Sequence, residues 1–503
     1  LPDAHESLCR VHTMTTEQSG ETVTIMDTES VQGVEVSRSY VARSPLQTLH
    51  IRCVAAGAEI GAPSNMVTAT TYVQDTNDDS PFTGRKVTRI EHPDGTLTLK
   101  TYPDAFTEIR WSGQPDAGGL TVVDGQRTEI QKNGFGYTIE RKVYDISSTE
   151  LVASETVVGS DGMGRPIEWQ YRDGTTRTTV PGCRDNFGWE VARDGMERIT
   201  EYGPQGRVVY STYFDEGNDP VTEASSYDAA GRMRKRGFMD DTYKDVWRES
   251  FEYDTAGRMI ASENAVGGIA EYWPPFADGM HQISVTFNPE DAFVEEEFYA
   301  DGQLFRQTGD APHVQMEYGV EGGELYTKEI RLGDNGETDL WSKTYTDFLG
   351  RPYKTLYSAG SFEQSWFNDK GQVEKTVDRG GVLTLYAYNG KGERQVVAVD
   401  CDKDETIDYS GQDRVVRTTT EMTSAHGTLV RRATTAVWDQ ENADVPRVTA
   451  VRDVSVDGLQ SWLTVDGQET HAVTTYTPAE AKRTDITTYP NQTQLISVSI
   501  NGQ

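Results

Sequence analysis

Long apolar runs are missing from this 503-residue chain, and positive charge is scarce in it. No segment approaches the roughly 18–20 apolar residues that a membrane-spanning helix needs. Lys and Arg number 47 against 80 Asp and Glu, which gives a net charge of −33. We therefore expect no transmembrane segment, and no nucleic-acid or anionic-membrane partner, because those surfaces carry the same sign of charge.

Cysteine and histidine are also rare, and their spacing excludes several catalytic classes. Cys9, Cys53, Cys183 and Cys401 form no CxxC pair, so neither a zinc site nor a redox motif is expected. A Cys9–Cys53 disulfide and free buried thiols remain open as alternatives. The eight histidines form no HxH or HExxH, and no GxSxG, P-loop or dinucleotide fingerprint precedes a helix. The sequence therefore predicts no catalytic residue and no organic cofactor.

Residues typical of strands are what the chain has in quantity. The 24 Tyr, 15 Phe and 9 Trp, together with abundant Thr and Val, favour half-buried sheets over helices. Helical signals are poor, and only residues 478–483 predict a short helical turn. At this length the chain must form several domains or a repeat array whose core grows in one direction.

One short motif recurs along the chain. Residues 227–232 are Tyr-Asp-Ala-Ala-Gly-Arg, and residues 253–258 are Tyr-Asp-Thr-Ala-Gly-Arg. Looser copies lie on both sides, at steps in the twenties, which indicates a repeat whose unit is one hairpin with Gly at the corner of its turn. Such hairpins cannot bury their own faces and must join edge to edge. We predict an all-β repeat architecture of antiparallel β-hairpins that forms a long curved sheet, a spiral or a partial shell. We expect the tyrosines to stack along the sheet, and the turn Arg and Asp to pair across adjacent repeats.

Composition divides the chain into three regions. Residues 1–85 form an N-terminal β region that ends in the polar loop 74–81, residues 86–404 form the repeat array, and residues 405–503 continue it in degenerate form. Residues 263–295 are aromatic and contain proline, which predicts a loop or small insertion. The start at Leu1 and the turn-like end lead us to expect a piece cut from a longer protein.

The Tyr-Asp-x-x-Gly-Arg motif resembles the tyrosine-aspartate (YD) repeats of the Rhs family. That family includes the Rhs proteins, the B and C components of insecticidal Tc toxins and the shell of the teneurins. The resemblance covers roughly residues 90–400 and implies a spiral of hairpins that forms a hollow shell around a polypeptide. In the toxin-bearing members of that family, a conserved core ends in an Asp-Pro self-cleavage site. The chain departs from those members, because its only Asp-Pro, at 219–220, lies in mid-chain and no cargo segment is visible.

An acidic segment supplies the candidate metal site. Asp400, Asp402, Asp404 and Asp408 occupy relative positions 1, 3, 5 and 9, a spacing that can wrap oxygen ligands around Ca²⁺. Glu405 stands at position 6, where such loops use glycine. The alternative interpretation is a solvated acidic turn.

Two further groups give hypotheses. A second acidic group, which comprises Asp75, Asn77, Asp78 and Asp79, is a weaker candidate for a Ca²⁺ site. His281, near Tyr272 and Trp273, is where a polysaccharide lyase would place its base, since that chemistry needs a Tyr or His base and a cation. The other interpretation of these rings is sheet packing and a loop plug.

These observations favour a non-enzymatic, structural segment of an exported, bacterial YD-repeat protein, secreted or at the cell surface. It would form a rigid β-shell or fibre section for encapsulation, assembly or surface binding. Two alternatives stay open: a polysaccharide lyase or other carbohydrate-active enzyme on the same sheet, and a toxin-complex shell whose cargo lies outside this chain. The expected partners are other parts of the parent protein, identical subunits, an enclosed polypeptide or a carbohydrate.

Overall fold

A computed structural model describes residues 10–500, apart from 76–83, 181–186, 216–218, 241, 243, 266–267, 274–280, 288–291, 300–301, 334–335 and 439–444. Its regular elements within these residues are 39 strands and one 3₁₀ helix, Pro478–Glu480, which lies in the segment predicted to form a helical turn. None of the described residues forms a helix with the length and apolarity needed to cross a membrane.

The strands, in chain order, are β1 (Arg10–Ser19), β2 (Thr22–Val31), β3 (Val34–Arg43), β4 (Gln47–Arg52), β5 (Met66–Asp75), β6 (Gly84–Glu91), β7 (Leu97–Thr101), β8 (Thr107–Pro115), β9 (Val122–Lys132), β10 (Thr138–Asp145), β11 (Leu151–Ser160), β12 (Pro166–Tyr171), β13 (Thr176–Val180), β14 (Phe187–Val191), β15 (Glu197–Tyr202), β16 (Val208–Phe214), β17 (Pro220–Tyr227), β18 (Met233–Met239), β19 (Asp245–Tyr253), β20 (Met259–Asn264), β21 (Ile269–Trp273), β22 (His281–Phe287), β23 (Phe293–Tyr299), β24 (Leu304–Gly309), β25 (Val314–Glu321), β26 (Glu324–Gly333), β27 (Gly336–Thr346), β28 (Pro352–Tyr357), β29 (Phe362–Phe367), β30 (Val373–Val377), β31 (Leu383–Tyr388), β32 (Arg394–Asp400), β33 (Arg414–Ala425), β34 (Thr428–Trp438), β35 (Arg447–Ser455), β36 (Gln460–Val465), β37 (Gln468–Thr477), β38 (Lys482–Thr488) and β39 (Gln494–Ile500).

Each strand pairs antiparallel with the next one along the chain, so the whole ladder is one ribbon of hairpins. This confirms the predicted all-β fold of antiparallel hairpins in one long curved sheet. The ladder also runs through the positions predicted as region boundaries, because β5 pairs with β6 and β32 pairs with β33.

The expectation of a loop or insertion at residues 263–295 is wrong for its described part. Strands β21 and β22 pair with each other and with their neighbours β20 and β23, which keeps the ladder continuous. Tyr272 and Trp273 lie in the segment predicted to be a loop, yet their backbones pair opposite Ser284 and Ile283. The three prolines of the segment, Pro274, Pro275 and Pro289, lie outside the described residues.

The turns fall on two rims, because each strand reverses the direction of the chain. We call the turns from odd-numbered to even-numbered strands the YD rim, since it carries the motif turns at 227–232, 253–258, 347–351 and 368–372. The turns from even-numbered to odd-numbered strands form the opposite rim.

Little of the ribbon is buried. The chain exposes 28793 Å², whereas a compact protein of this mass exposes about 18,000 Å². Among the described residues, the largest side chains that are fully buried are those of Leu97, Val415, Val430 and Cys53. Both faces of the sheet therefore lie close to solvent along most of its length.

Candidate functional site

The motif turn is held by its aspartate. In the turn 228–231 the amide of Gly231 donates to the carbonyl of Asp228 at 2.9 Å, and Gly231 takes a φ of +80° that side chains avoid. One carboxylate oxygen of Asp228 accepts the amides of Ala230 and Arg232, and the other accepts Nε of Arg232 at 2.7 Å. The ladder shifts register between Ser226 and Tyr227, as expected when a glycine bulge closes a hairpin.

These hydrogen bonds lower the pKa of the Asp228 carboxyl, with the backbone amide of Arg232 as the largest cause. The carboxyls of Asp161 and Asp254 have lowered pKa values for the same reason. The expected pairing of Arg and Asp across repeats holds for Arg193, which pairs with Asp173 of the preceding turn on the opposite rim, but it is wrong for the Tyr-Asp-x-x-Gly-Arg turns. In those motif turns the pair forms within one turn, because the bulge places the arginine four residues after the aspartate, beside its carboxylate.

Arginine and tyrosine provide the contact between repeats. The guanidinium carbon of Arg232 lies 4.7 Å from the centre of the Tyr253 ring, in the next motif turn, and Nη1 of Arg232 donates to the Asp254 carbonyl at 3.4 Å. The Tyr253 hydroxyl donates back to the Met233 carbonyl at 2.9 Å. Arg351 repeats the arrangement, 3.6 Å from the Phe367 ring centre. Rings and cations thus alternate along the YD rim.

The YD rim of later strands contacts the opposite rim of early strands. Arg52, at the end of β4, donates to the carbonyl of Leu349 in the turn after β27. Phe348 packs against Tyr40, Ile51 and Cys53, an apolar cluster whose other members come from residues 26–67. Leu349 itself is 8% exposed. We call this line of contact between the two rims the seam.

The seam continues with charged and close backbone contacts. Nζ of Lys391, in the turn after β31, lies 3.4 Å from the carboxylate of Asp124, near the start of β9, and Gly390 lies against Gln114 of β8. Lys370, after β29, lies against Gly95, after β6. Further along, Gly195, after β14, meets the backbone of Pro478, after β37.

These contacts define the size of one coil. The strands that meet are β4 and β27, β6 and β29, β8 and β31, and β14 and β37, each pair 23 strands apart. The ribbon therefore returns over itself after 23 strands. We call β1–β23 the first coil and β24–β39 the second coil.

A cavity of about 420 Å³ opens in the seam between Arg10, Glu29 and Arg52 of the first coil and the turn at Asp347. Arg10 pairs with Glu29 at 2.6 Å, and Asp347 pairs with Arg351 at 2.7 Å. These charged groups therefore already have ion-pair partners within the chain.

The acidic loop folds over the sheet after β32. Asp400 and Asp413 are both 3% exposed, and both oxygens of each carboxylate accept backbone amides. Beneath the loop, Ile407 packs on a small core that includes Val415. Asp413 was not predicted, because its partners are backbone amides that no residue pattern displays.

The predicted metal ligands divide between two groups. Asp400, Asp402 and Asp413 can bring one oxygen each within 4.8 Å of the others, and so can Asp402, Asp404 and Asp408. Asp402 belongs to both. Desolvation and the carboxylates of Asp404, Asp413 and Asp400 raise the pKa of the Asp402 carboxyl. Glu405 takes a φ of +63°, so it adopts the backbone conformation for which such loops use glycine. The donors are hard oxygens, which fit Ca²⁺.

The described residues include only part of the other groups that the sequence singled out. Of the second acidic group, Asn77, Asp78 and Asp79 lie outside the described residues, and Asp75 ends β5. His281 begins β22, but its side chain lies outside the described part, as do those of Tyr272 and Trp273. Cys53 and Cys401 are free thiols, and burial raises the pKa of Cys53; Cys9 is outside the described residues.

One polar cluster in the second coil was not predicted. Asp453, 2% exposed, accepts two hydrogen bonds from Arg432 and lies 3.0 Å from Nε2 of His426. Trp462 is stacked between the rings of His426 and His471, at 4.1 and 4.8 Å. These residues come from separate strands and turns, so no local motif marks them. The cluster fastens four neighbouring strands.

The described residues thus define a class: an all-β hairpin ribbon coiled into a spiral with a rim-to-rim seam. No family model matches the chain, and no curated protein matches it significantly. Among solved structures it is similar to "TcdB2-TccC3-Cdc42" and to "TcdB2-TccC3 without hypervariable C-terminal region", each at 11% identity over 90% of this chain, with TM-scores of 0.37 and 0.39. The chain spans 32% of the length of those chains. A porin-like protein from Bacteroides uniformis is 8% identical over 60% of this chain and 92% of its own, with a TM-score of 0.12.

Proposed function

We propose that this chain is a structural segment of an exported YD-repeat protein, in which the coiled ribbon is the wall of a hollow shell. The observation that carries the proposal is the seam, where the YD rim of the second coil lies on the opposite rim of the first coil at a constant 23 strands. Twist alone would curl a free ribbon, but side-chain contacts between coils fix its diameter.

The size of the wall follows from the strand spacing. With strands about 4.8 Å apart, 23 strands give a circumference of roughly 110 Å and, for a circular section, a diameter of roughly 35 Å. Side chains on the inner face reduce the free width to roughly 25 Å. A folded 100-residue domain is wider, because its diameter exceeds twice its radius of gyration of about 13 Å. The interior suits an unfolded polypeptide, and the large accessible surface agrees with a hollow particle.

Small-angle scattering and cryo-electron microscopy of the purified chain test the wall. A hollow cross-section of the estimated width supports the proposal. A filled globule, or an extended ribbon whose coils do not touch, contradicts it. The proposed location is outside the cell or at its surface, as the resemblance to YD-repeat proteins implies.

For the acidic loop we propose a Ca²⁺ site centred on Asp402, with Asp404 and Asp408 as further ligands. Their oxygens can approach within 4.8 Å of one another. Desolvation and, after it, the neighbouring carboxylates raise the pKa of Asp402, and a cation would relieve the repulsion between those carboxylates. The ion would hold the loop in place at the rim between β32 and β33.

A further inference from the structure

The YD rim of the first coil presents the same turn that forms the seam in the second coil. In both coils the turn aspartate accepts the amides two and four residues later, as Asp161 does for Met163 and Arg165 and as Asp347 does for Leu349 and Arg351. The two coils therefore carry equivalent surfaces.

Exposure separates these equivalent positions. Leu349 occupies the third position of its turn and is 8% exposed, because the first coil covers it. Met163 occupies the same position in the first coil and is 62% exposed, and Phe135, in the turn before it on the same rim, is 72% exposed. The first coil thus presents large apolar side chains where the second coil has a covered seam.

Charge at the seam identifies what can cover this surface. Lys391, also at the third turn position, pairs with Asp124 of the opposite rim. The opposite rim of the second coil carries further exposed turn aspartates, among them Asp378 and Asp466. It therefore offers acidic groups of the kind that Lys391 already meets in the seam.

We propose that the YD rim of the first coil docks on the opposite rim of the second coil of another copy of this chain. The contact continues the intramolecular seam between molecules, and it rests on the coiled wall proposed above. The two surfaces differ, so the contact is head-to-tail and can extend beyond a dimer into a tube.

Sedimentation velocity of the full chain over a range of protein concentrations tests the proposal with two substitutions at one position. Met163→Glu places an acid against an acidic rim and should weaken association at least about ten-fold, whereas Met163→Lys copies Lys391 and should preserve or tighten it. Leu463→Glu is the matched control, since Leu463 is 43% exposed in the middle of β36, away from both rims. The runs are made at about 0.15 M salt, which screens the repulsion between acidic copies beyond about 8 Å.

Concentration-dependent dimers and longer species that Met163→Glu removes and Leu463→Glu retains support the proposal. A wild-type chain that stays monomeric at its highest soluble concentration overturns it, and so does association that Met163→Glu leaves unchanged. A monomer with a hollow cross-section would reject this docking and leave the wall standing. Circular dichroism of each variant checks that the sheet is retained.

Discussion

The guanidinium of Arg232 stands over the ring of Tyr253, 4.7 Å from its centre, and joins two successive hairpins at their turns. The same arginine pairs with Asp228 of its own turn at 2.7 Å. One side chain therefore closes its hairpin and holds the next one.

Replacement of Arg232 by Gln should cost more stability than the same change at Arg258. Both arginines pair with the aspartate of their own turn, but within the described residues no aromatic ring lies beneath Arg258. The difference between the two losses isolates the contact between repeats and should be about 1 kcal/mol. Chemical denaturation of the two variants measures it, and equal losses would contradict a role for the ring.

Acid should destabilise the chain through its turn aspartates. The folded-state pKa of Asp228 is lowered, so its contribution is present above the unfolded value of about 3.9 and is lost as pH falls through the folded value. Asp161 and Asp254 act in the same direction. We expect unfolding midpoints that change little from neutral pH to about 5 and fall steeply below about pH 4. Replacement of all three aspartates by Asn should make the unfolding midpoint depend less on pH in acid. The turns should still form, because the native turns at Asn368 and Asn389 already use an amide oxygen.

If the variant's unfolding midpoint falls in acid as steeply as that of the wild type, the turn aspartates are not the cause of the acid sensitivity.

Truncation of Leu349 tests the seam. Leu349→Ala should lower the free energy of unfolding by about 2–3 kcal/mol, because it opens a void between the coils. Met163→Ala removes a similar side chain from the equivalent, exposed position and should stay within about 0.5 kcal/mol of wild type. Both are measured at concentrations where the chain is monomeric. Equal effects would mean that the turn, and not the contact between coils, determines the cost.

Calcium should stabilise the acidic loop. Added Ca²⁺ should raise the unfolding midpoint of the wild-type chain, and chelation should reverse the rise, since the ion binds the folded state. Asp402→Asn should remove the response, whereas Asp240→Asn, at a turn on the same rim, should retain it. The same response in both variants, or none in wild type, would contradict a site at Asp402.

The sequence predicted local structure best. The motif marks its own turn, because Asp and Gly are the residues that a bulged hairpin turn requires, and the ladder of neighbours follows from it. Elsewhere a turn-like pair misleads: Asp124-Gly125 lies within β9, where Gly125 faces Gly113 so closely that a Cβ would meet the carbonyl of Ser112. The two glycines permit a close backbone approach and do not mark a turn.

The seam and the centre of the acidic loop could not be predicted. Repeats encode contacts with the next hairpin, whereas Arg52 meets Leu349 only after the small twists of 23 strands have accumulated. Asp413 lies 13 residues after Asp400 and beyond the acidic run, and the loop fold alone brings the two together. Both features depend on tertiary geometry that no short pattern contains.

Carbodiimide cross-linking of the monomer, followed by mass spectrometry, tests the coiled wall most directly. The reagent joins an amine and a carboxylate that touch, and Lys391 lies 3.4 Å from Asp124. We predict a linked peptide pair containing Lys391 and Asp124, present at monomer mass and absent from the Lys391→Arg variant. Links confined to neighbouring hairpins would show that the coils do not meet, and the wall would have to be abandoned.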